Sequence, residues 1–210
     1  MLPNKISESG KTMETLEKIN ELVKTNGGMV KTNELTSAGI DYKAVLELVE
    51  SGELVRIKSG YYTVKSMDFS EEELITAMFP DGILTMESAL YYIGYLPNRP
   101  YEWRIAISKN TSKSRFKIEY PIVTPYYTEP ESMSFGVTTT EIAGKEMQMY
   151  DLDRLICEVM KYQEKMDRED FKKAVLTYIQ DDRKNVANLM EYARERKVLK
   201  KVQNIIGVWL

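Results

Sequence analysis

Apolar positions recur at helical spacing near the start of the chain. Leu16, Ile19, Leu22 and Val23 share one face of residues 13–25, which predicts an amphipathic helix. Asn26-Gly27-Gly28 stops it, because glycine takes the left-handed conformation that helix ends need. Met29-Val30-Lys31 is a short extended piece. Thr32 can cap a second helix, with Glu34 and Leu35 in its first turn. Gly39-Ile40 is a turn, and Asp41 caps a third helix over 42–51, ended by Gly52. Residues 53–64 then hold two strand-like runs, LVRI and YYTV, around Lys58-Ser59-Gly60, a hairpin signal. Simple alternation puts Val55 and Ile57 on one face and Arg56 and Lys58 on the other. This order of elements is that of a winged helix-turn-helix, with the third helix as recognition helix and the hairpin as wing. The domain is expected to span 1–66, with residues 1–11 a loose polar tail and the boundary at Lys65-Ser66-Met67-Asp68.

The pattern over 67–210 is mixed. Ser70-Glu71-Glu72-Glu73 is a capping box, and Phe69 can staple against Leu74 across it. The helix it starts runs to about residue 79. Pro80-Asp81-Gly82 is a turn, and Thr85 caps a helix through residue 92, closed by Gly94. From Trp103 the period changes to strands: WRIAIS, FKIEYPIVTPYY, FGVTTTEI and EMQMYD, with Gly144-Lys145 as the last turn. Helices follow over about 152–164, 168–180, 185–196 and 198–206, the second capped by Asp167. The predicted fold class is therefore α+β: an N-terminal winged helix-turn-helix, then a mixed α+β domain with a largely antiparallel sheet and a C-terminal helical run.

Composition removes several chemistries. The 210 residues contain no histidine, which excludes Ser-His-Asp triads, Cys-His dyads and HExxH zinc sites. The single cysteine, Cys157, rules out an internal disulfide and Cys-rich zinc sites, and its apolar surroundings predict a buried, inert thiol. No metal or other cofactor is expected. The net charge is −3, divided as 0 over 1–66, −5 over 67–150 and +2 over 151–210. A globally basic nucleic-acid binder is excluded, whereas a local basic face is not. No apolar run is long enough to span a bilayer and the N-terminus lacks a signal-peptide core, so a cytoplasmic protein without membrane contact is expected.

Few motifs carry catalytic chemistry. Ser9-Gly10-Lys11-Thr12 resembles half of a Walker A loop, but Lys5 stands where the other glycine belongs and no strand precedes it. Asp81, Glu102 and Arg104 have a loose likeness to a nuclease metal site, in which two carboxylates hold Mg²⁺. The plainer reading is a turn aspartate and one face of a strand. Asp151, Asp153 and Arg154 are either a small acid–base cluster or first-turn caps with a paired arginine. Arg194, Arg196, Lys197, Lys200 and Lys201 form a basic stretch, either a solvated helix face or a contact surface for phosphates or an acidic partner.

DNA contact is expected at three places. Lys31, Thr32 and Asn33 open the second helix, where main-chain N–H groups and short side chains meet phosphates. Tyr42 and Lys43 begin the recognition helix, and Arg56, Lys58 and Tyr61 lie on or beside the wing. Against this, Glu47 and Glu50 share the recognition helix and the domain is neutral, so a winged helix used only for protein contacts is the alternative. Topology, rather than charge, favours DNA.

These residues resemble the AbiEi family of antitoxins, the transcriptional-regulator half of bacterial type IV toxin–antitoxin systems. The likeness runs over nearly the whole chain. It comprises Gly27-Gly28-Met29-Val30, Glu34-Leu35, Gly39-Ile40 and the run from Leu48 to Tyr62; then Gly82 to Tyr91 with Gly94-Tyr95; then Tyr150 to Cys157 and Asn188 to Ala193. The resemblance implies a non-enzymatic, two-part antitoxin for abortive infection and phage defence. Its winged helix would bind inverted repeats of double-stranded operator DNA and repress its own promoter. Its C-terminal domain would counteract a cognate nucleotidyltransferase-like toxin. Arg154 stands where many relatives carry an arginine after an acidic residue, with Asp151 and Asp153 beside it. Winged helices of the family are often basic, so the neutral one here implies weak or cooperative operator binding.

Overall fold

The computed structural model describes residues 5–65, 70–118 and 120–209. The chain forms two compact units, one of residues 1–79 with 117–121 and one of residues 80–116 with 122–210. The expected boundary at 66–68 and the Phe69 staple lie outside the described residues.

In the first unit, α1 is Lys5–Thr25, β1 Val30–Lys31, α2 Thr32–Ser37, α3 Tyr42–Glu50, β2 Leu54–Lys58, β3 Tyr61–Val64 and α4 Glu71–Met78. Residues 5–11, expected as tail, are helical and continue α1 without a break. Lysine and glutamate are good helix formers, and the mid-helix Gly10 costs only about 1 kcal/mol. Ser9-Gly10-Lys11-Thr12 therefore lies on a helix and forms no phosphate loop. A sheet of order β1-β3-β2, antiparallel throughout, closes the unit. Its core joins Ile19 and Val23 of α1 to Leu35, Val45, Leu48, Leu54 and Val64. Asp41 caps α3 by accepting from the Lys43 N–H. Lys31, not Thr32, occupies the cap of α2, and the Glu34 carboxylate takes its N–H at 2.8 Å. Ser70 and Glu73 form the capping box of α4 reciprocally, as the spacing predicts.

Simple alternation fails in β2. Leu54 and Ile57 are buried while Val55 and Arg56 are exposed, because the register shifts between Arg56 and Lys58. A bulge adds one residue to its strand and so breaks the two-residue period.

In the second unit, β4 is Ile83–Leu84, α5 Met86–Tyr92, β5 Trp103–Ser108, β6 Val123–Thr128, α6 Pro130–Met133, β7 Val137–Ile142 and β8 Lys145–Tyr150. Helices α7 Leu152–Lys161, α8 Arg168–Gln180, α9 Val186–Glu195 and α10 Leu199–Ile205 follow. The sheet order is β6-β5-β4-β8-β7. The expected largely antiparallel sheet is in fact mixed: β4–β5 and β7–β8 are antiparallel, whereas β5–β6 and β4–β8 are parallel. The reason lies in the run over 116–127. It is not one strand, because Lys113–Phe116 is a 3-10 turn and the strand starts only at Val123. The resulting crossover between β5 and β6 is long enough to return the chain parallel.

A buried charge cluster organises the helical run. The Glu158 Oε1 accepts from Arg154 Nε at 2.8 Å and from Arg196 Nε at 2.6 Å, and its Oε2 accepts from Arg196 at 2.9 Å. The Arg154 guanidinium also donates to the Ser132 carbonyl at 2.8 Å and lies 4.2 Å from the Phe135 ring centroid and 4.5 Å from that of Tyr150. Gly136 makes room for it: a Cβ there would fall 2.5 Å from Arg154 Cβ, and its φ of +63° suits glycine. Replacing Glu158 with Gln leaves two buried guanidiniums facing a neutral amide. The expected loss is about 3–5 kcal/mol, read as a lower urea midpoint at unchanged slope.

Candidate nucleic-acid interface

The hairpin places two tyrosines back to back. Tyr61 and Tyr62 are neighbours on β3 and project to opposite faces. Tyr61 pairs with Lys31 on one side and Lys58 on the other. Both ammonium groups lie over its ring, Lys58 Nζ at 4.2 Å and Lys31 Nζ at 5.8 Å from the centroid. One aromatic plate thus carries two cations, although residues 1–66 as a whole are neutral. Gly60 forms the turn, and its carbonyl accepts from the Thr32 N–H at 2.9 Å, tying the hairpin to the start of α2.

On the other face stands Tyr62, a buried core residue that the sequence reading left out. Its Cα is paired with that of Arg56. Burial raises the pKa of its hydroxyl; hydrogen bonding with Thr32 and the Arg56 charge oppose this, while hydrogen bonding with Tyr42 adds to it. Thr32, Tyr42 and Arg56 therefore converge on one phenol, although they come from the starts of two helices and from a strand. The signal available was the buried alternate of YYTV, which must point toward the core if Tyr61 does not.

The remaining expected residues divide. Lys43 is exposed, and its Nζ lies 3.7 Å from Glu47 Oε1 one turn on. Asn33 folds back, its Oδ1 accepting from the Glu34 N–H at 3.0 Å. Asp151, Asp153 and Arg154 do not form an exposed cluster. Asp151 caps α7 through the Arg154 N–H at 2.8 Å. Asp153 is buried and accepts from the Tyr178 hydroxyl at 2.8 Å and the Asn185 N–H at 2.9 Å. Arg154 is fully buried in the Glu158 cluster. The basic stretch likewise splits: Arg196 is interior, and Lys201 Nζ donates to the Met160 carbonyl at 3.2 Å. Cys157 is buried, with burial pushing its thiol pKa up, so it is not primed for reaction.

The carboxylates of the nuclease reading have separate arginine partners. Asp81 receives the fork of Arg115, which holds its carboxyl below the ordinary value. Glu102 pairs with Arg104 at 3.1 Å and accepts from the Thr124 hydroxyl. Among the described residues no group of three or more His, Cys, Asp or Glu side chains could hold a metal ion. Arg104 also lies 3.5 Å from the buried Glu87.

The chain thus pairs a small helix-and-hairpin unit bearing a local basic edge with a larger α+β unit whose polar clusters are chiefly internal. Residues 17–65 match the family model described as transcriptional regulator, AbiEi antitoxin. That segment is similar to the AbiEi antitoxin transcriptional regulators. The central and C-terminal motifs lie outside the matched residues. No curated protein matches the chain. Among solved structures, the RV2827C protein from Mycobacterium tuberculosis is similar in fold, with a TM-score of 0.66 over 91% of this chain and 75% of that one, at 13% identity. No described helix is long and apolar enough to cross a membrane.

Burial raises the Glu87 carboxyl above its ordinary value of 4.5. The folded state therefore holds that proton more tightly than the unfolded chain does. The contribution of Glu87 to stability is greatest below the ordinary value and declines as pH rises toward the folded one. In Glu87→Gln this decline should disappear, measured as a flatter dependence of the thermal midpoint on pH above about 4.5.

Proposed function

We propose that the first unit is a winged helix-turn-helix that binds operator DNA. In this reading α3 enters the major groove and the β2–β3 hairpin grips the flanking backbone. The protein represses the promoter of its own toxin–antitoxin operon through inverted repeats. Its α+β unit counteracts a nucleotidyltransferase-like toxin, without catalysing a reaction itself. The observation that carries the reading is the placing of Lys31 and Lys58 over the Tyr61 ring, on a hairpin tied to the start of α2 by the Thr32 N–H. Two cations and the N-terminal turn of α2 meet at one hairpin. That is the arrangement a phosphate backbone requires, and it does not depend on net charge. The family match over 17–65 supports the same assignment, since it spans these elements.

Asp153 and Arg154 enter the antitoxin half of the reading as residues that fix α7, since their side chains are interior. Toxin contact then falls to exposed residues of the unit. A second reading, in which the winged helix contacts only protein, is favoured by Glu47 drawing Lys43 to itself and by Glu50 on the same helix. It predicts no salt-dependent affinity for DNA.

A gel shift with the native promoter fragment separates the two. Arg56→Ala and Lys58→Ala should each weaken binding to all sequences about equally and reduce the slope of log K against log salt by about 1. Wild-type binding that stays unchanged when Lys43, Arg56 and Lys58 are all replaced by Ala refutes the assignment.

A further inference from the structure

The two outer strands of the five-stranded sheet differ in how they end it. Pro125 lies in the middle of β6, where it removes a donor and discourages pairing with another chain. The other outer strand, β7, reads VTTTEI and has no proline, no lysine and no break in register. Those are the devices by which sheet edges are usually guarded. Among the described residues β8 is the one strand that pairs with it. Thr138 and Thr139 are both exposed, so neither face of β7 is covered at its middle.

The ladder shows which of its groups face outward. The Asp151 N–H donates to the Gly136 carbonyl at 2.9 Å. At the other end Ile142 and Lys145 close a hairpin around Ala143-Gly144, both at positive φ. Bonded and non-bonded positions alternate in an antiparallel pair, so Thr138, Thr140 and Ile142 exchange bonds with β8. The N–H and C=O groups of Val137, Thr139 and Glu141 point away from it. This edge is complementary to itself. Set antiparallel about a two-fold axis at Thr139, Val137 of one copy meets Glu141 of the other, and Thr139 meets Thr139. Each of these pairs can exchange two main-chain bonds. A shift of two residues either way loses one pair. Thr138 falls opposite Thr140, a cross-strand match that favours pairing. Glu141 already faces Glu146 within its own hairpin, so a further carboxylate opposite it would be repelled. In this register the two Glu141 side chains stand four residues apart along the strands, roughly 13 Å. That is more than the screening length of about 8–10 Å at ordinary salt.

We propose that β7 pairs with β7 of a second copy of this chain, an isologous contact that joins the two sheets across a two-fold axis. The pairing does not depend on what the first unit binds. Under the duplex-binding reading it supplies the two copies that inverted repeats require.

The test is sedimentation velocity of the full chain over a range of concentrations, without DNA. Native protein should pass from monomer to dimer as concentration rises. The association should be weak, because one strand is smaller than a standard interface. Thr139→Lys and Thr139→Glu each set like charges face to face on the axis, and each should raise the dissociation constant about tenfold. Mixed in equal amounts, the two variants should form a dimer at least as tight as the native one, because opposite charges then meet. Thr139 is exposed, so both should keep the native circular dichroism. Native protein that stays monomeric at every concentration overturns the inference and leaves the edge to an extended segment of another protein. A dimer that both variants keep at native strength places the contact elsewhere and overturns it too, as does a mixture of the variants that stays monomeric. None of these outcomes bears on the duplex-binding reading, which the gel shift decides.

Discussion

The bulge between Arg56 and Lys58 is the constraint on which the candidate interface depends. In an unbroken strand Arg56 and Lys58 would share one face and Ile57 the other. The extra residue lets Leu54 and Ile57 both reach the core while Arg56 pairs with Tyr62 and Lys58 pairs with Tyr61. The two cations are thereby dealt to different tyrosines. Arg56 comes opposite Tyr62, and Lys58 comes to the plate it shares with Lys31. Residues 1–66, with no net charge, gain a concentrated basic edge in this way. Charge placement, and not charge count, governs such a surface, because the field of a phosphate is felt over only about 8–10 Å at ordinary salt.

The second unit spends its charges differently. Glu158 is shared by two arginines, Asp153 by a tyrosine and a backbone N–H, and Asp81 is held by the fork of one arginine. The buried ions among these, Glu158 and Asp153, add little net stability when their partners are complete and cost much when broken. They specify how α7 and α9 meet the sheet, and they leave few interior charges for chemistry. An arginine following an acidic residue, read along the chain, suggests a contact site; its burial assigns it to the scaffold.

Much of the fold was legible residue by residue. The caps at Asp41, Ser70 and Asp167 were readable because a short acceptor side chain serves N–H groups only two or three residues away. The hairpin at Gly60 and the helices over 152–206 follow from periodicity alone. The exposed face of Val55 and the break in the strand expected over 116–127 each required knowledge of a neighbour distant in sequence, whereas the helical tail lay within reach of local propensity. The candidate interface was half legible: Lys31, Thr32, Tyr42, Arg56, Lys58 and Tyr61 were named, whereas Tyr62, on which three of the elements converge, was not.

The amino-acid order by itself determined the succession of helices and strands, the exclusion of histidine and disulfide chemistry, and the glycines and caps that end each element. These depend on dihedral preferences and on hydrogen bonds spanning a few residues. Only the tertiary structure decided which carboxylate meets which arginine, that two of the four pairings in the five-stranded sheet run parallel, and that Arg154 is interior. Those outcomes depend on pairings between segments tens of residues apart, where burial removes water and makes the choice of partner energetically decisive.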